Sequence, residues 1–260
     1  MIENKRNDNC DYNEVQTVEK NTKRKTSLNL KIVLTYIFSF LALNLVILIF
    51  LGVFPDVIED ETRLNNILVG LNLLWYVGLL IALVIIARIY LFVNQWAYFK
   101  SNPRRSFSLI VVGLVGVFLV SILVNLIFAW LGIELDPQNQ EALEALMQAG
   151  PWAVAGLVVF AGFLAPITEE IVFRKGVYGM VHHKYGNVAA IIINSFFFGL
   201  VHVLGDIVTD FSSIINIVPY FALGLFISYI YYRSAKIIYV PIIIHMAYNL
   251  ILLTSLLFMI

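Results

Sequence analysis

The sequence predicts an all-α fold, a polytopic membrane bundle of about seven to eight transmembrane helices. Three observations carry that prediction. The chain is 60% hydrophobic and only 13% charged, where a soluble domain is about half apolar and a quarter charged. Its mean hydropathy is +0.87. Apolar runs of about 20 residues recur along its length, each enough to cross a hydrocarbon core of roughly 30 Å. Formal net charge is zero, so no nucleic-acid or acidic partner is implied.

The first element is a polar tail, 1–30, rich in Asn, Lys, Glu and Thr. It is expected to be disordered or loosely helical at the membrane surface. Lys20, Lys23, Arg24, Lys25 and Lys31 form a basic cluster beside the first span. This reads as a topology anchor, with lipid regulation the weaker alternative. No cleavable signal is read here, because the first apolar run is far longer than a signal core. No myristoylation start or prenylatable C-terminal cysteine is seen either. The single cysteine, Cys10, rules out an intramolecular disulfide.

Seven spans are expected near 32–54, 66–93, 108–131, 151–174, 188–208, 214–232 and 238–258. They fall into an accessory group, 31–131, and a core, 151–260. Between the two lies an extracytoplasmic loop, 132–150. Part of it, 133–149, reads as an interfacial helix, because it favours helix yet carries carboxylates. The loops alternate in charge. Asp56, Glu59, Asp60 and Glu61 follow the first span, and Lys100, Arg104 and Arg105 the second. Glu134, Asp136, Glu141 and Glu144 follow the third, and Arg174, Lys175 and Lys184 flank the fourth. Asp206 and Asp210 mark the fifth, and Arg233 and Lys236 the sixth. Lys and Arg set orientation. The expected topology in a cell membrane is therefore N-terminus cytoplasmic and C-terminus extracytoplasmic, with Arg63 the exception. There is no internal repeat, heptad array or phosphate loop. Asn44, Asn72 and Asn125 in the early spans read as interhelical hydrogen-bonding groups.

The chemistry concentrates after residue 150. The stretch Ala165-Pro-Ile-Thr-Glu-Glu-Ile-Val-Phe-Arg-Lys-Gly176 ends an apolar helix with two adjacent carboxylates. Ionised groups in a bilayer are costly and are kept for function or in pairs. Glu170 and Arg174 are four apart, the spacing and order of a helical ion pair. Glu169 points about 100° away on the same helix and is left without that cation. The segment alone fits either a general base or an interfacial salt bridge. His202 stands in the next apolar span. A hairpin centred near Gly186 would leave Glu169 and His202 each about 16 residues from the turn, hence at the same height. His245 and Asn249, four apart, share a face of the last helix. His182 and His183 read as solvated loop residues. A shared site explains two carboxylates, two histidines and an asparagine together.

Glu169-Glu170-x-x-x-Arg174, Phe198-x-x-x-His202 and His245-x-x-x-Asn249 resemble the motif series of the CAAX prenyl endopeptidase and bacteriocin-processing family, also called the Abi family. These are intramembrane proteases. The resemblance covers about 150–250, and Phe221-Ala-Leu-Gly224 also fits it. It implies peptide-bond hydrolysis, with Glu169 and His202 activating water and His245 and Asn249 stabilising the oxyanion. Glu170 and Arg174 would form the structural pair or help position the peptide. No cofactor is needed to write this mechanism. Zinc is the alternative, since Glu169, His202 and His245 are acceptable ligands and three ligands plus water is the usual catalytic pattern. The Asn/Lys/Ile-rich composition has a bacterial character. A hydrophobic or membrane-bound peptide, such as a bacteriocin or pheromone precursor, is then expected over a CAAX protein.

Two other readings compete. One is a non-catalytic membrane scaffold or bacteriocin self-immunity protein of the same fold. The other is a transporter using the carboxylate as a proton relay, against which no broken helices in two matching halves are evident.

Overall fold

The computed structural model describes residues 8–87, 89–133, 148 and 150–258, with backbone alone for 8–25 and 89–91. The described residues are helical, joined by short turns, with no strand. The helices are α1 (Asp8–Val53), α2 (Glu61–Ala87), α3 (Ile89–Ser101), α4 (Pro103–Trp130), α5 (151–185), α6 (187–209), α7 (Ile217–Arg233) and α8 (Tyr239–Leu257). Six helical segments are long and apolar enough to cross a membrane. The fourth, Pro151–Thr209, runs 59 residues. A straight helix of that length would extend about 90 Å, three times a bilayer core.

It does not run straight. Gly186 has φ 80° and ψ −176°, a region essentially closed to residues with a Cβ. The chain reverses there, and Tyr178 on one arm donates to Asn187 Oδ1 on the other at 2.8 Å. The reversal is shown by its result: Glu169 and His202 would lie about 50 Å apart on a straight helix, yet their side chains are 3.7 Å apart. The hairpin expected around Gly186 is therefore present, and α5 and α6 make seven passes of the six segments.

Several expectations change. The polar residues from Asp8 onward do not form a separate loose tail; they continue α1 into the first span. Cys10, Lys20, Lys23, Arg24 and Lys25 lie where only the backbone is described. Helix is described from Glu61 to Ala87 and from Ile89 to Ser101, so helical chain reaches beyond the expected end of the second span at 93. The interfacial helix expected at 133–149 falls almost wholly outside the described residues. Asn44, Asn72 and Asn125 do not bridge helices. Each donates to the carbonyl one turn back, Phe40, Leu68 and Ser121 respectively. An amide in an apolar setting satisfies itself on its own helix when no partner helix offers an acceptor. His182 is also less solvated than expected. It is half-buried, stacks on Tyr178 and accepts from Lys236 Nζ at 2.6 Å.

The helices pack so that α5 sits in the middle. Ile32 and Tyr36 of α1 and Leu79 and Leu83 of α2 bury against Ile171, Val172 and Phe173 of α5. On another side, Val117 of α4 packs with Ile227 and Ile230 of α7 and Ile244 of α8. Small residues let the backbones approach where lipid supplies no hydrophobic drive between helices. A Cβ on Gly224 of α7 would meet Ser195 Cα of α6 at 3.1 Å. Lipid-type surface remains outside: Leu48, Leu74, Ile85, Leu119 and Leu126 are all exposed.

Gly186 has nothing within 4 Å of a built Cβ, so its requirement is purely conformational. Gly186→Ala should lose about 1–3 kcal/mol in detergent unfolding. Gly205→Ala, with open space and an ordinary helical φ, should be neutral by the same measurement.

Candidate active site

The site is built where α5 departs from regular geometry. Two π turns, Phe160–Leu164 and Ile171–Val177, flank the short α segment Ala165–Glu170. Such wide turns often lie at functional sites. The first has a cause in the sequence. Pro166 has no N–H and crowds the carbonyl four residues back. Ala165 N–H bonds Phe160 O, and residue 166 cannot donate, so neither following donor serves the Ala161 carbonyl. Asn249 of α8 supplies the missing donor: its Nδ2 lies 2.9 Å from Ala161 O. Asn249 thereby ties α8 to the turn just before the two glutamates.

Glu170 and Arg174 form the expected pair. Both are fully buried, at 0% and 1% exposure. Arg174 Nε lies 2.9 Å from Glu170 Oε2, an ion-pair contact, and Nη2 donates to Oε1 at 3.2 Å. The guanidinium also sits 5.5 Å from the centre of the Phe198 ring. Glu170 Oε1 accepts a further bond from His245 Nδ1 at 3.0 Å.

That bond fixes the tautomer of His245. A carboxylate accepts, so Nδ1 carries a hydrogen, and in the neutral ring Nε2 is the lone pair. The same logic applies to His202. Its Nδ1 lies 2.8 Å from Phe198 O, a carbonyl that can only accept, so its Nε2 is also a lone pair. The His202 ring is held between Phe198, at 4.4 Å, and Tyr220, stacked at 4.6 Å.

Both lone pairs converge on Glu169. Its Oε2 is 3.7 Å from His202 Nε2 and 3.8 Å from His245 Nε2. No Lys or Arg ion pair to Glu169 occurs among the described residues. The side chains of Glu169 and His202 are 12% and 21% exposed, so the centre opens outward while Glu170 and Arg174 seal it from behind. Separations of 3.7 and 3.8 Å are longer than direct hydrogen bonds, the range in which a bridging water is to be considered.

The donor set, one carboxylate and two imidazoles with their far nitrogens anchored, is chemically suited to zinc. Its spacing is wider than the roughly 3.4 Å that bonds of about 2.0–2.1 Å impose between tetrahedral ligands. Among the described residues no group of three His, Cys, Asp or Glu side chains is arranged to hold a metal ion. The geometry as it stands does not fit, and no step below is routed through a metal.

Of the six residues singled out in the sequence, Glu169, Glu170, Arg174, His202 and His245 meet at one centre, while Asn249, one turn along α8 from His245, bonds Ala161 O instead. The sequence reading missed Asn194 and Ser228, buried polar residues behind Arg174. Polar residues at 194–195 and 228 in apolar spans were the available signal.

Fold and site define a multi-pass membrane protein with a buried carboxylate–imidazole centre on its core helices. Residues 151–251 match the family described as type II CAAX prenyl endopeptidase Rce1-like, and the matched segment contains every residue of the centre. Among curated proteins, the chain is 30% identical over 118 residues to one named "Putative membrane peptidase YdiL" from Bacillus subtilis (strain 168), covering 45% of this chain and 43% of that protein. It is 29% identical over 164 residues to an uncharacterized protein of Mycoplasma capricolum, covering 59% of this chain and 45% of that one. The chain thus spans less than half the length of each of these curated relatives. No solved structure matches.

The Asn249–Ala161 bond can be tested through its cause. Asn249→Ala should cost about 1–3 kcal/mol by orphaning a buried carbonyl. In a Pro166→Ala background, where residue 166 regains an N–H, the cost should shrink. A double-mutant cycle of unfolding in mixed micelles measures the difference.

Proposed function

We propose that this protein is an intramembrane endopeptidase that hydrolyses a peptide bond in a hydrophobic or membrane-associated peptide. The observation that carries the reading is the convergence of two imidazole Nε2 atoms on one carboxylate, Glu169, that has no Lys or Arg ion pair among the described residues. Three proton acceptors around one water is an arrangement for deprotonating it. A structural salt bridge would not need it, and a buried polar cluster kept only for packing would be fully satisfied internally.

In this mechanism a water sits between Glu169, His202 and His245. Glu169 and His202 take up its proton as it attacks the scissile carbonyl. His245 is held by Glu170 through Nδ1, so when that same proton is relayed from Glu169 Oε2 to His245 Nε2, 3.8 Å away, it forms an imidazolium facing a carboxylate already in place. That N–H then serves the oxyanion and, on collapse, the leaving amine. Asn249 keeps one amide hydrogen beyond the one given to Ala161, and this can also reach the oxyanion. Glu170 and Arg174 orient His245 and do not react. Phe198 and Tyr220 hold the His202 ring in register.

The site opens toward the cytosol in this reading. With Lys175 further along α5, Lys100, Arg104, Arg105, Lys184, Arg233 and Lys236 lie in or next to turns at one end of the bundle. Contacts across it join them: Arg105 Nη2 donates to Arg233 O at 2.9 Å, and Lys175 Nζ to Lys236 O at 3.4 Å. Burial pushes the Lys236 ammonium below its ordinary value. Trp96, Phe99 and Tyr239 stack beside Lys100 at the same end, as aromatic residues do at a membrane interface. Asp56, Glu59, Asp60, Asp206 and Asp210 lie in or beside the opposite turns. The name of the Bacillus subtilis relative and the Rce1-like match support peptide as the substrate class. A bacteriocin or pheromone precursor fits better than a prenylated CAAX protein.

The activity test uses purified protein in liposomes and quenched hydrophobic peptides. Wild type should cleave. Glu169→Ala and His202→Ala should each lose about 100-fold or more while melting normally, and a chelator should leave wild-type cleavage intact. Folded variants that cleave as wild type would overturn the reading. Topology is tested separately in a Cys10→Ser background. A membrane-impermeant maleimide should label Lys184→Cys from the cytosolic face and Ser212→Cys from the opposite face.

A further inference from the structure

Behind the catalytic centre lies a second polar layer that the proposed mechanism does not use. Asn194 of α6 and Ser228 of α7 are both fully buried, at 0% exposure. With its amide oxygen turned toward Arg174, Asn194 accepts from Arg174 Nη1 at 2.8 Å and from Ser228 Oγ at 2.8 Å. Its amide nitrogen then donates to Phe173 O at 2.6 Å. Phe173 O also takes the Tyr178 N–H that closes the second π turn. Ser195 Oγ, 3.3 Å from Ser228 Oγ, is occupied by Ile191 O at 2.6 Å. The close α6–α7 approach at Gly224 brings these groups within reach of one another.

We propose that Asn194, hydrogen-bonded to Ser228, is a positioning residue that sets the tautomer of His245 through Arg174 and Glu170. The argument is a count of donors and acceptors. Arg174 has no solvent, so every guanidinium N–H must find an acceptor or a ring. Glu170 takes the Nε and Nη2 side. Asn194 Oδ1 takes Nη1, and Phe198 lies against the face. Without Asn194, Nη1 has no acceptor among these groups, and the guanidinium gains by rotating toward the Glu170 oxygens. Glu170 Oε1 is the oxygen that accepts from His245 Nδ1. A guanidinium that turns onto it competes for that lone pair and loosens the imidazole. The free ring then samples both tautomers, and Nε2 stops being a fixed lone pair aimed at Glu169.

Asn194 suits this role in a way that aspartate or leucine would not. Its amide both donates to the Phe173 carbonyl and accepts from the cation while carrying no charge. Aspartate would lose the donor and add a second anion competing with Glu170 for Arg174. Leucine would match the volume and remove both bonds. The Phe173 carbonyl, which only accepts, and the Arg174 N–H, which only donates, fix which way the amide faces, and the Ser228 hydroxyl adds a bond to its oxygen.

The test reads the tautomer directly and does not depend on the peptidase reading except for why the tautomer matters. Protein labelled with 15N-histidine is reconstituted in detergent. His245 is assigned by comparison with His245→Gln, and its Nδ1 and Nε2 shifts are recorded near neutral pH. Wild type should show one tautomer, Nδ1–H. Asn194→Leu should show a mixture, and Ser228→Ala a smaller change in the same direction. Asn194→Asp should also perturb His245, because it restores an acceptor but not neutrality. With a cleaved peptide in hand, Asn194→Leu should lower kcat about tenfold with KM little changed. A folded Asn194→Leu with wild-type His245 shifts overturns the proposal, even if its melting temperature falls. So does a wild-type His245 spectrum in Ser228→Ala when Asn194→Leu fails to fold. A single tautomer in wild type with no cleavage by any variant leaves this inference standing and counts against the peptidase.

Discussion

Everything at the centre depends on one fully buried ion pair, Glu170 with Arg174. Two charges removed from water are expensive, and their attraction repays the cost only when the remaining donors and acceptors are also met. Arg174 Nε and Glu170 Oε2 have only their 2.9 Å ion contact with each other, while residues from three other helices serve the other atoms. His245 of α8 takes one Glu170 oxygen, Asn194 of α6 takes one Arg174 nitrogen, and Ser228 of α7 bonds Asn194. The pair therefore holds the core helices in one arrangement. It also gives His245 a neutral, anchored ring, which a lone buried carboxylate would not.

The neighbouring glutamate shows the opposite solution. Glu169 is one residue away, yet it faces an opening and two imidazole nitrogens. Helical rotation of about 100° per residue separates the two environments. One carboxylate is committed to a buried Arg174 pair, and the other has no Lys or Arg ion pair among the described residues. The π turns on either side adjust that rotation, and the first exists because Pro166 withholds a donor. Asn249 answers the resulting orphan carbonyl, so a residue legible as catalytic also holds the backbone that presents Glu169.

The outer part of the protein follows simpler rules. α1 and α2 lend Ile32, Tyr36, Leu79 and Leu83 to the packing of α5. α4 supports α7 and α8 through Val117 and small residues at the contact. Elsewhere the helices keep large apolar side chains exposed, as a bilayer requires. Asn44, Asn72 and Asn125 in these outer spans satisfy themselves within their own helix, while Trp75 and Ser39 make one bond between α2 and α1.

How much of this was legible in the sequence varied with the range of the interaction. Composition and apolar run length determined the membrane bundle, because every span must satisfy its backbone internally. Local spacing determined the Glu170–Arg174 pair, the shared face of His245 and Asn249, and the hairpin at Gly186, because helical period and left-handed φ are local properties. Motif order along successive helices determined the resemblance. Tertiary structure alone decided that Glu170 rather than Glu169 anchors His245, that both Nε2 atoms are lone pairs, and that Asn249 serves Ala161. It also decided that Asn194 and Ser228 stand behind Arg174, and that Asn44, Asn72 and Asn125 turn back on their own helices. Each of these depends on which groups meet across helices, and no periodicity along one chain segment encodes that meeting.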